Sequence, residues 1–172
     1  VHPTWYWNLK KNPEIDVFIK ISDKINVVKR LESMADTVLI GGGMAATFLK
    51  AKGFNTGVSL VEESFLSEAE ALVSRGPKPV SPLMLPFDVV VSTSFYVGAD
   101  HRTCEVSDIE PDEMILDIGP QTAEKFGRIL KNSASVFWNG PMGVFEWEQY
   151  SHGTKLVAEA TSVGAVVSVI GG

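Results

Sequence analysis

The sequence predicts an α/β fold with a doubly wound, Rossmann-like parallel sheet and helices on both of its faces. Short apolar runs such as Thr37–Ile40 and Asp88–Ser92 alternate along the chain with segments of helical periodicity. Strands that are apolar on both faces are typical of a parallel sheet covered on both sides. The length of 172 residues is enough for one domain with a single core.

Regular periodicity begins after residue 19. Apolar residues at helical spacing predict an amphipathic helix over 22–35, and a strand over 37–40 follows it. A second helix is expected from Met44 to Gly53, because glycine readily adopts the backbone conformation that ends a helix. A third helix is predicted over 61–74.

The second half of the chain continues the alternation. Four prolines predict a loop over 74–86, interrupted at most by a brief strand at 83–85. Residues 93–111 are rich in polar and turn-forming side chains and predict a long surface connection. The remaining predicted elements are, in chain order, strands over 88–92 and 114–118, a helix over 121–131 after Pro120, a strand over 135–138, a helix over 153–161 and a strand over 165–170.

Composition and charge exclude several classes of function. Lysine and arginine number 15 against 21 acidic residues, which gives a net charge of −6. Nucleic acids and anionic membranes require a broad basic surface, so neither is an expected partner. The single cysteine excludes an internal disulfide and a cysteine-based zinc cluster, and it favours a reducing compartment. No apolar run approaches the roughly 18 residues of a membrane span.

Both ends of the chain predict a fragment. The first residue is not methionine, and the opening V-H-P-T-W-Y-W does not have the charged and apolar regions of a signal peptide. The strand-like run Val169–Gly172 ends without a polar tail. We therefore expect a fold that is incomplete at its C-terminal end.

Three predicted strands end in glycine-rich turns, at Gly41–Gly43, Asn139–Gly143 and Gly171–Gly172. Ligands of open parallel sheets bind beyond the carboxyl ends of the strands, where glycine lets the backbone approach a ligand closely. A single turn of this kind is equally well explained by the tight connections that α/β folds need. Three together favour a nucleotide or phosphate site.

The segment Gly41–Ala46 fits the G-x-G-x-x-A fingerprint of dinucleotide-binding proteins. That fingerprint also requires an acidic residue about 20 positions further on, at the end of the next strand. Glu62 and Glu63 are near that distance but stand at the start of a helical pattern. An NAD-dependent oxidoreductase is therefore the alternative hypothesis. No G-x-x-x-x-G-K-[ST] segment is present, which excludes a P-loop.

Scattered charged residues leave two interpretations open. Lys20 and Lys24 are spaced to share one helical face, where they would either meet phosphate oxygens or be solvated. Glu146 and Glu148 flank Trp147, and such acids either accept hydrogen bonds from ribose hydroxyls or favour a helix start. The histidines, the cysteine and the aspartates show no pairing that would predict a metal site or acid–base chemistry.

Several segments together carry a resemblance to a known family. In their order and separation they resemble the C-terminal, nucleotide-binding half of the phosphoglycerate kinases, and the run W-N-G-P-M-G-V-F-E is the most specific of them. The resemblance covers 20–172 as a partial nucleotide-binding domain, and residues 1–19 form a divergent N-terminal segment. The segments are Lys20–Ile25, Ile40–Ala45, Ser59–Glu63, Leu116–Pro120 and Trp138–Glu146.

The resemblance implies a reaction. The family transfers a phosphoryl group between ATP and the carboxylate of 3-phosphoglycerate, with Mg²⁺, in glycolysis and carbon fixation. Its N-terminal domain holds the phosphoglycerate and its C-terminal domain holds the nucleotide. We therefore expect a cytoplasmic or plastid monomer that carries the ATP/ADP-binding half, is inactive alone and meets 3-phosphoglycerate only with the N-terminal domain. A non-catalytic nucleotide-binding or regulatory fragment of the same ancestry is a further alternative.

The resemblance also implies roles for individual residues. Lys20 matches the lysine that contacts the transferring phosphoryl group, and Lys24 matches a second lysine on the phosphate side. The family's metal-serving aspartate would follow Gly172, beyond the end of this chain. The other matches are Gly42 and Gly43 beside the adenine, Asn139 near the phosphates, Gly140, Met142 and Phe145 around the nucleotide, Glu146 at the ribose, and Gly171 and Gly172 in the phosphate turn.

The sequence departs from the family pattern at three places. Val17–Ile19 stand where the family has two glycines and a small residue before the lysine. Ile115 replaces a glycine near the adenine, and Glu113 replaces a tryptophan. Bulky side chains at these positions are expected to crowd the nucleotide pocket.

Overall fold

The computed structural model describes residues 15–18, 35–74, 83–163 and 167–171, which form two sheets and the helices around them. The predicted helix over 22–35 and most of the predicted loop over 74–86 lie outside these residues. The strands are β1 (Ile15–Phe18), β2 (Thr37–Leu39), β3 (Leu83–Met84), β4 (Asp88–Ser92), β5 (Arg102–Glu105), β6 (Met114–Ile118), β7 (Ser135–Asn139) and β8 (Val167–Gly171). The α-helices are α1 (Gly43–Ala51), α2 (Leu66–Val73), α3 (Pro120–Lys131) and α4 (His152–Val163).

The larger sheet has five strands in the order β3-β2-β1-β7-β8, and every neighbouring pair is parallel. From β1 the chain proceeds outward through β2 to β3, whereas β7 and β8 lie on the other side of β1. This reversal makes the crevice beyond β1 and β7 a topological switch point, where ligands of doubly wound sheets bind. The α/β prediction is confirmed.

Helices cover the parallel sheet on both faces. Val38 of β2 belongs to a buried cluster with Phe48 of α1 and Leu72 of α2. The next residue, Leu39, packs on the opposite face with a cluster that includes Phe126 of α3. Because successive side chains of a strand point to opposite faces, β2 is buried on both sides, and its apolar run reflects this.

The smaller sheet was not expected. Strands β5, β4 and β6 form an antiparallel sheet in that order, so β4 and β6 are not part of the parallel sheet. The prediction that 93–111 is only a surface connection was wrong, because β5 lies within it. In β5 only Cys104 is buried, and the other three residues are exposed. A strand with one buried residue has no apolar pattern by which to recognise it.

Most observed element bounds agree with those predicted from the sequence, but the start of one helix differs. Helix α1 ends near Gly53, whose φ of 94° gives the left-handed conformation expected there. Helix α2 begins at Leu66, whereas the prediction placed its start at Val61. A short 3₁₀-helix, Glu63–Phe65, precedes it, and the Glu62 amide donates to the Thr47 hydroxyl at 3.0 Å. That contact from α1 fixes the preceding segment outside the helix.

Asp88 joins the two sheets by capping α3. Its side-chain oxygens accept hydrogen bonds from the backbone amides of Thr122 at 2.7 Å and Gln121 at 3.0 Å. Its carbonyl accepts from Gly119 at 2.8 Å. Asp88 is 1% exposed and starts β4, so a residue of the antiparallel sheet satisfies the free amides of a helix that covers the parallel sheet.

The substitution Asp88→Ala is expected to lower the free energy of unfolding by about 3 kcal/mol, because it leaves the buried amide of Thr122 and the partly buried amide of Gln121 without acceptors. Urea unfolding measures this change. Asp112→Ala is the matched control, since Asp112 is exposed, and its effect should stay within about 0.5 kcal/mol. Equal losses in the two variants would contradict the capping role of Asp88.

Candidate ligand site at the sheet edge

Two loops meet at the carboxyl edge of the parallel sheet. The Gly42 amide, after β2, donates to the Met142 carbonyl, after β7, at 3.0 Å, although β1 lies between those two strands. Gly42 has a φ of 58°, and a Cβ at that position would overlap the Pro141 carbonyl oxygen. Only glycine gives the loop this conformation and this close approach.

The loop after β7 is held at several points along its length. The Trp138 indole donates to the Gly140 carbonyl at 2.6 Å, and the Met142 amide donates to the Thr154 hydroxyl at 3.0 Å. The Val144 amide donates to the Leu116 carbonyl at 2.9 Å. Contacts from β6 and from the first turn of α4 therefore position this loop.

A cavity of about 470 Å³ lies between the two loops, β6 and residues 58–60. Much of its wall is apolar, including Val58, Leu60 and Ile115. An apolar wall with a few polar groups is typical of sites for small organic ligands. Ile115, which was expected to crowd the nucleotide pocket, lines this cavity.

Val58 and Leu60 form one wall, and the segment 55–60 that carries them is fastened to β6 and to the residues before it. The Val58 amide donates to the Glu113 carbonyl at 2.8 Å, and the Ile115 amide donates to the Ser59 hydroxyl at 2.9 Å. The Asn55 side-chain amide donates to the Ile109 carbonyl at 2.7 Å. These long-range bonds hold Val58 against the cavity, although its side chain is 57% exposed.

Glu113 anchors that wall through an ion pair. Arg102 on β5 donates to its two carboxylate oxygens at 2.6 and 2.7 Å, and the Glu110 amide donates to it at 2.9 Å. The hydrogen bond from Arg102 holds the pKa of Glu113 below its usual range. Glu113 stands where the family has a tryptophan, and its carboxylate is buried and paired with Arg102.

Asp117 is the buried carboxyl group of the site. It is 1% exposed and also lines the cavity. Its side-chain oxygens accept from the amides of Gly153 and Ile118, both at 2.9 Å. Burial raises the pKa of Asp117 to about 7, and the two amides oppose that rise.

The predicted site residues fall into four groups. Gly42, Gly43, Met142 and Glu146 line the cavity together. Gly140 and Phe145 belong to the same loop, and Phe145 is 47% exposed. Asn139 ends β7 and pairs with Gly171 at the end of β8. Lys20, Lys24 and Gly172 lie outside the described residues. The roles assigned to all of them stay predictions.

Sequence reasoning missed Val58, Leu60 and Asp117 as parts of the cavity. Leu60 belongs to a segment that carried the family resemblance, yet nothing in its pattern indicates a wall residue that is 84% exposed. Asp117 belongs to another such segment. An aspartate inside an apolar strand, directly before glycine-containing turns, is the signal that could have indicated it.

The dinucleotide alternative loses its support in the fold. The strand after the glycine turn and its helices is β3, and it continues into Leu85 and Pro86 without an acidic residue. Glu63 pairs with Lys50 at 2.7 Å. Among the described residues, those that directly follow β3 therefore offer no carboxylate at the place where one would bind a ribose.

The described ranges contain no group of three or more histidine, cysteine, aspartate or glutamate side chains that would hold a metal ion. Among the helices of these ranges, none has both the length and the apolar character needed to cross a bilayer.

Glycine turns at a switch point beside an apolar cavity are typical of α/β domains whose ligands bind at the carboxyl edge of a parallel sheet. The model of one protein family, described as phosphoglycerate kinase, matches residues 18–172. The chain therefore belongs to the phosphoglycerate kinase family.

Individual relatives agree with this assignment. The chain is 43% identical over 153 residues to a phosphoglycerate kinase of Moorella thermoacetica, and 44% identical over 156 residues to one of Chloroflexus aurantiacus. Each alignment covers 89% of this chain and 39% of the relative. The chain thus spans about two fifths of the length of these curated relatives.

Solved structures show the same fold. The structure of phosphoglycerate kinase from Coxiella burnetii matches with a TM-score of 0.85 and 35% identity, over 93% of this chain and 42% of that chain. The crystal structure of phosphoglycerate kinase from Pyrococcus horikoshii OT3 matches with a TM-score of 0.77 and 26% identity, over 98% of this chain and 50% of that chain.

The substitution Gly42→Ala is expected to lower the free energy of unfolding by about 3 kcal/mol, because it adds strain at a positive φ and a clash with Pro141. Gly98→Ala is the control: Gly98 has a φ of 83°, but a Cβ there meets nothing within 4 Å. This control should cost about 1 kcal/mol. Urea unfolding of both variants measures the difference, and equal losses would contradict a contact between the two loops.

Proposed function

We propose that this chain supplies the nucleotide-binding half of a phosphoglycerate kinase, which transfers a phosphoryl group reversibly between ATP and 3-phosphoglycerate. The observation that carries the proposal is the apolar cavity at the switch point. Gly42, Gly43, Met142 and Glu146, the residues that the family resemblance assigns to the nucleotide, converge on it.

The cavity suits a nucleoside. Val58, Leu60 and Ile115 offer apolar surface to the faces of a flat purine ring. The exposed Glu146 carboxylate at the rim is an acceptor for the hydroxyl groups of a ribose. The backbone of Gly42 and Gly43 brings no side chain between the loop and the base.

The phosphates would extend along the same edge of the sheet, toward Asn139 and Gly171, which end β7 and β8. We assign Lys20 to the transferring phosphoryl group and Lys24 to a second phosphate contact, on the strength of the family motif. Phosphoryl transfer depends on positioning and on neutralising charge spread over oxygen atoms, and lysines perform both tasks.

The reaction also involves Mg²⁺ and 3-phosphoglycerate. The described residues do not form a metal-binding cluster, so we assign no step to Mg²⁺ here. We infer that 3-phosphoglycerate binds to a second domain that faces this edge of the sheet. The proposed setting is a monomer in the cytoplasm or a plastid.

The substitution Val58→Asp should weaken ADP binding about tenfold, because a carboxylate in the apolar wall must be desolvated and repels the anionic ligand. Isothermal titration calorimetry of this chain with ADP measures the dissociation constant. Val163→Asp introduces the same charge at an exposed position at the end of α4 and should leave the affinity unchanged. If ADP does not bind to the unmodified chain, the proposed function is wrong.

The role assigned to Glu146 is tested by removing its charge. Glu146→Gln should weaken adenosine binding about fivefold, because a neutral amide is a weaker acceptor than a carboxylate. Binding of 2′,3′-dideoxyadenosine, which has no ribose hydroxyls at those positions, should not change. Glu148→Gln is the control, since Glu148 is exposed and pairs with Lys155 at 2.6 Å. Equal weakening of both nucleosides by Glu146→Gln would exclude a contact with the ribose.

A further inference from the structure

We propose that Asp117 is a positioning residue of the cavity: its carboxylate joins the turn at Gly143 to the first turn of α4 and thereby fixes the loop wall. The proposal deepens the proposed function, since it concerns the same cavity and a nucleoside as its ligand. The family motif assigns Asp117 no role, but the groups around its carboxylate do.

Two glycines leave room for this carboxylate. A Cβ at Gly143 would lie 2.6 Å from the Asp117 carboxyl carbon and 2.6 Å from the Leu116 carbonyl oxygen. A Cβ at Gly153 would lie 2.5 Å from Oδ1 of Asp117. The loop and the helix therefore both approach the carboxylate at positions without side chains, and the Gly153 amide donates to its Oδ2.

Hydrogen bonds on both sides of Gly143 attach the loop to α4 and to β6. The Met142 amide donates to the Thr154 hydroxyl on α4, and the Val144 amide donates to the Leu116 carbonyl on β6. Asp117 sits between these two attachments, bound to the same turn of α4. A change in its hydrogen bonding must therefore reach the loop that carries Met142 and Gly143 into the cavity.

Asp117 changes its charge near neutral pH, since burial raises its pKa to about 7. The causes of this shift are burial and the amides of Gly153 and Ile118, with no contribution from a charged side chain of the described residues. The charged or titratable groups on the elements around it are Asp88 on β4, Glu146 in the loop, Glu148 and Tyr150 in the following 3₁₀-helix, and His152, Lys155 and Glu159 on α4.

Ionisation of Asp117 has one effect on the loop and the opposite effect on the stability of the whole fold. An ionised carboxylate accepts stronger hydrogen bonds, so the first turn of α4 is held more firmly above the pKa than below it. The loop is attached to that turn through Thr154 and is therefore held more firmly as well. Between the unfolded pKa of 3.8 and the folded pKa of about 7, the folded state binds more protons than the unfolded state. The contribution of Asp117 to the free energy of unfolding therefore falls as pH rises, whereas the affinity of the cavity for a nucleoside rises.

The first experiment measures adenosine affinity as a function of pH. Adenosine has no group that titrates in this range, unlike the phosphates of ADP. The unmodified chain should bind adenosine about fivefold more tightly at about pH 8 than at about pH 6. Asp117→Asn keeps an acceptor for the Gly153 amide but cannot ionise, so its affinity should be independent of pH.

Two controls separate Asp117 from other groups. His152→Gln removes the imidazole next to Gly153, and Asp112→Asn removes an exposed carboxylate. Both should keep the pH dependence of the unmodified chain. The proposal is wrong if Asp117→Asn keeps that dependence or if His152→Gln abolishes it.

A second readout needs neither a ligand nor a folded variant. Amide hydrogen exchange of the unmodified chain, corrected for intrinsic rates, should show weaker protection of residues 140–146 at about pH 6 than at about pH 8, relative to residues 102–105. Unchanged relative protection would overturn the positioning role. Changed protection without adenosine or ADP binding at any pH would instead retain the positioning role and refute the proposed function.

Discussion

The hydrogen bond from the Gly42 amide to the Met142 carbonyl is the constraint on which the site depends. It connects the loops after β2 and β7 across the end of β1, so it closes the edge of the parallel sheet at the switch point. The bond requires a residue without a Cβ, because Pro141 occupies the space that a side chain would need. Glycine is therefore needed at position 42 both for the turn and for the contact between the two loops.

The antiparallel sheet provides the rest of the cavity. Strand β6 contributes Ile115 and Asp117 to the lining, and the Arg102–Glu113 ion pair anchors the segment that carries Val58. The Asp88 cap connects this sheet to α3. A single parallel sheet could supply the glycine loops but not the apolar wall opposite them, so the site depends on both sheets.

The sequence predicted the features that depend on local pattern. The apolar runs of β2, β4 and β6 and the glycine stop after α1 were recognisable because burial and backbone conformation leave a periodic or residue-specific signature. Strand β5 left none, since only Cys104 is buried in it. The start of α2 depends on a hydrogen bond from the Glu62 amide to Thr47, which is distant in sequence.

The sequence by itself determined the fold class, the family and the glycine loops of the site, because motif order and strand patterning are properties of the chain. Only the tertiary structure decided that β4 and β6 form a separate sheet, and that the exposed Val58 and Leu60 face a cavity. It also decided the chemistry of Asp117. An aspartate is ordinarily ionised at neutral pH, and its burial between Gly143 and Gly153 is what raises its pKa to about 7.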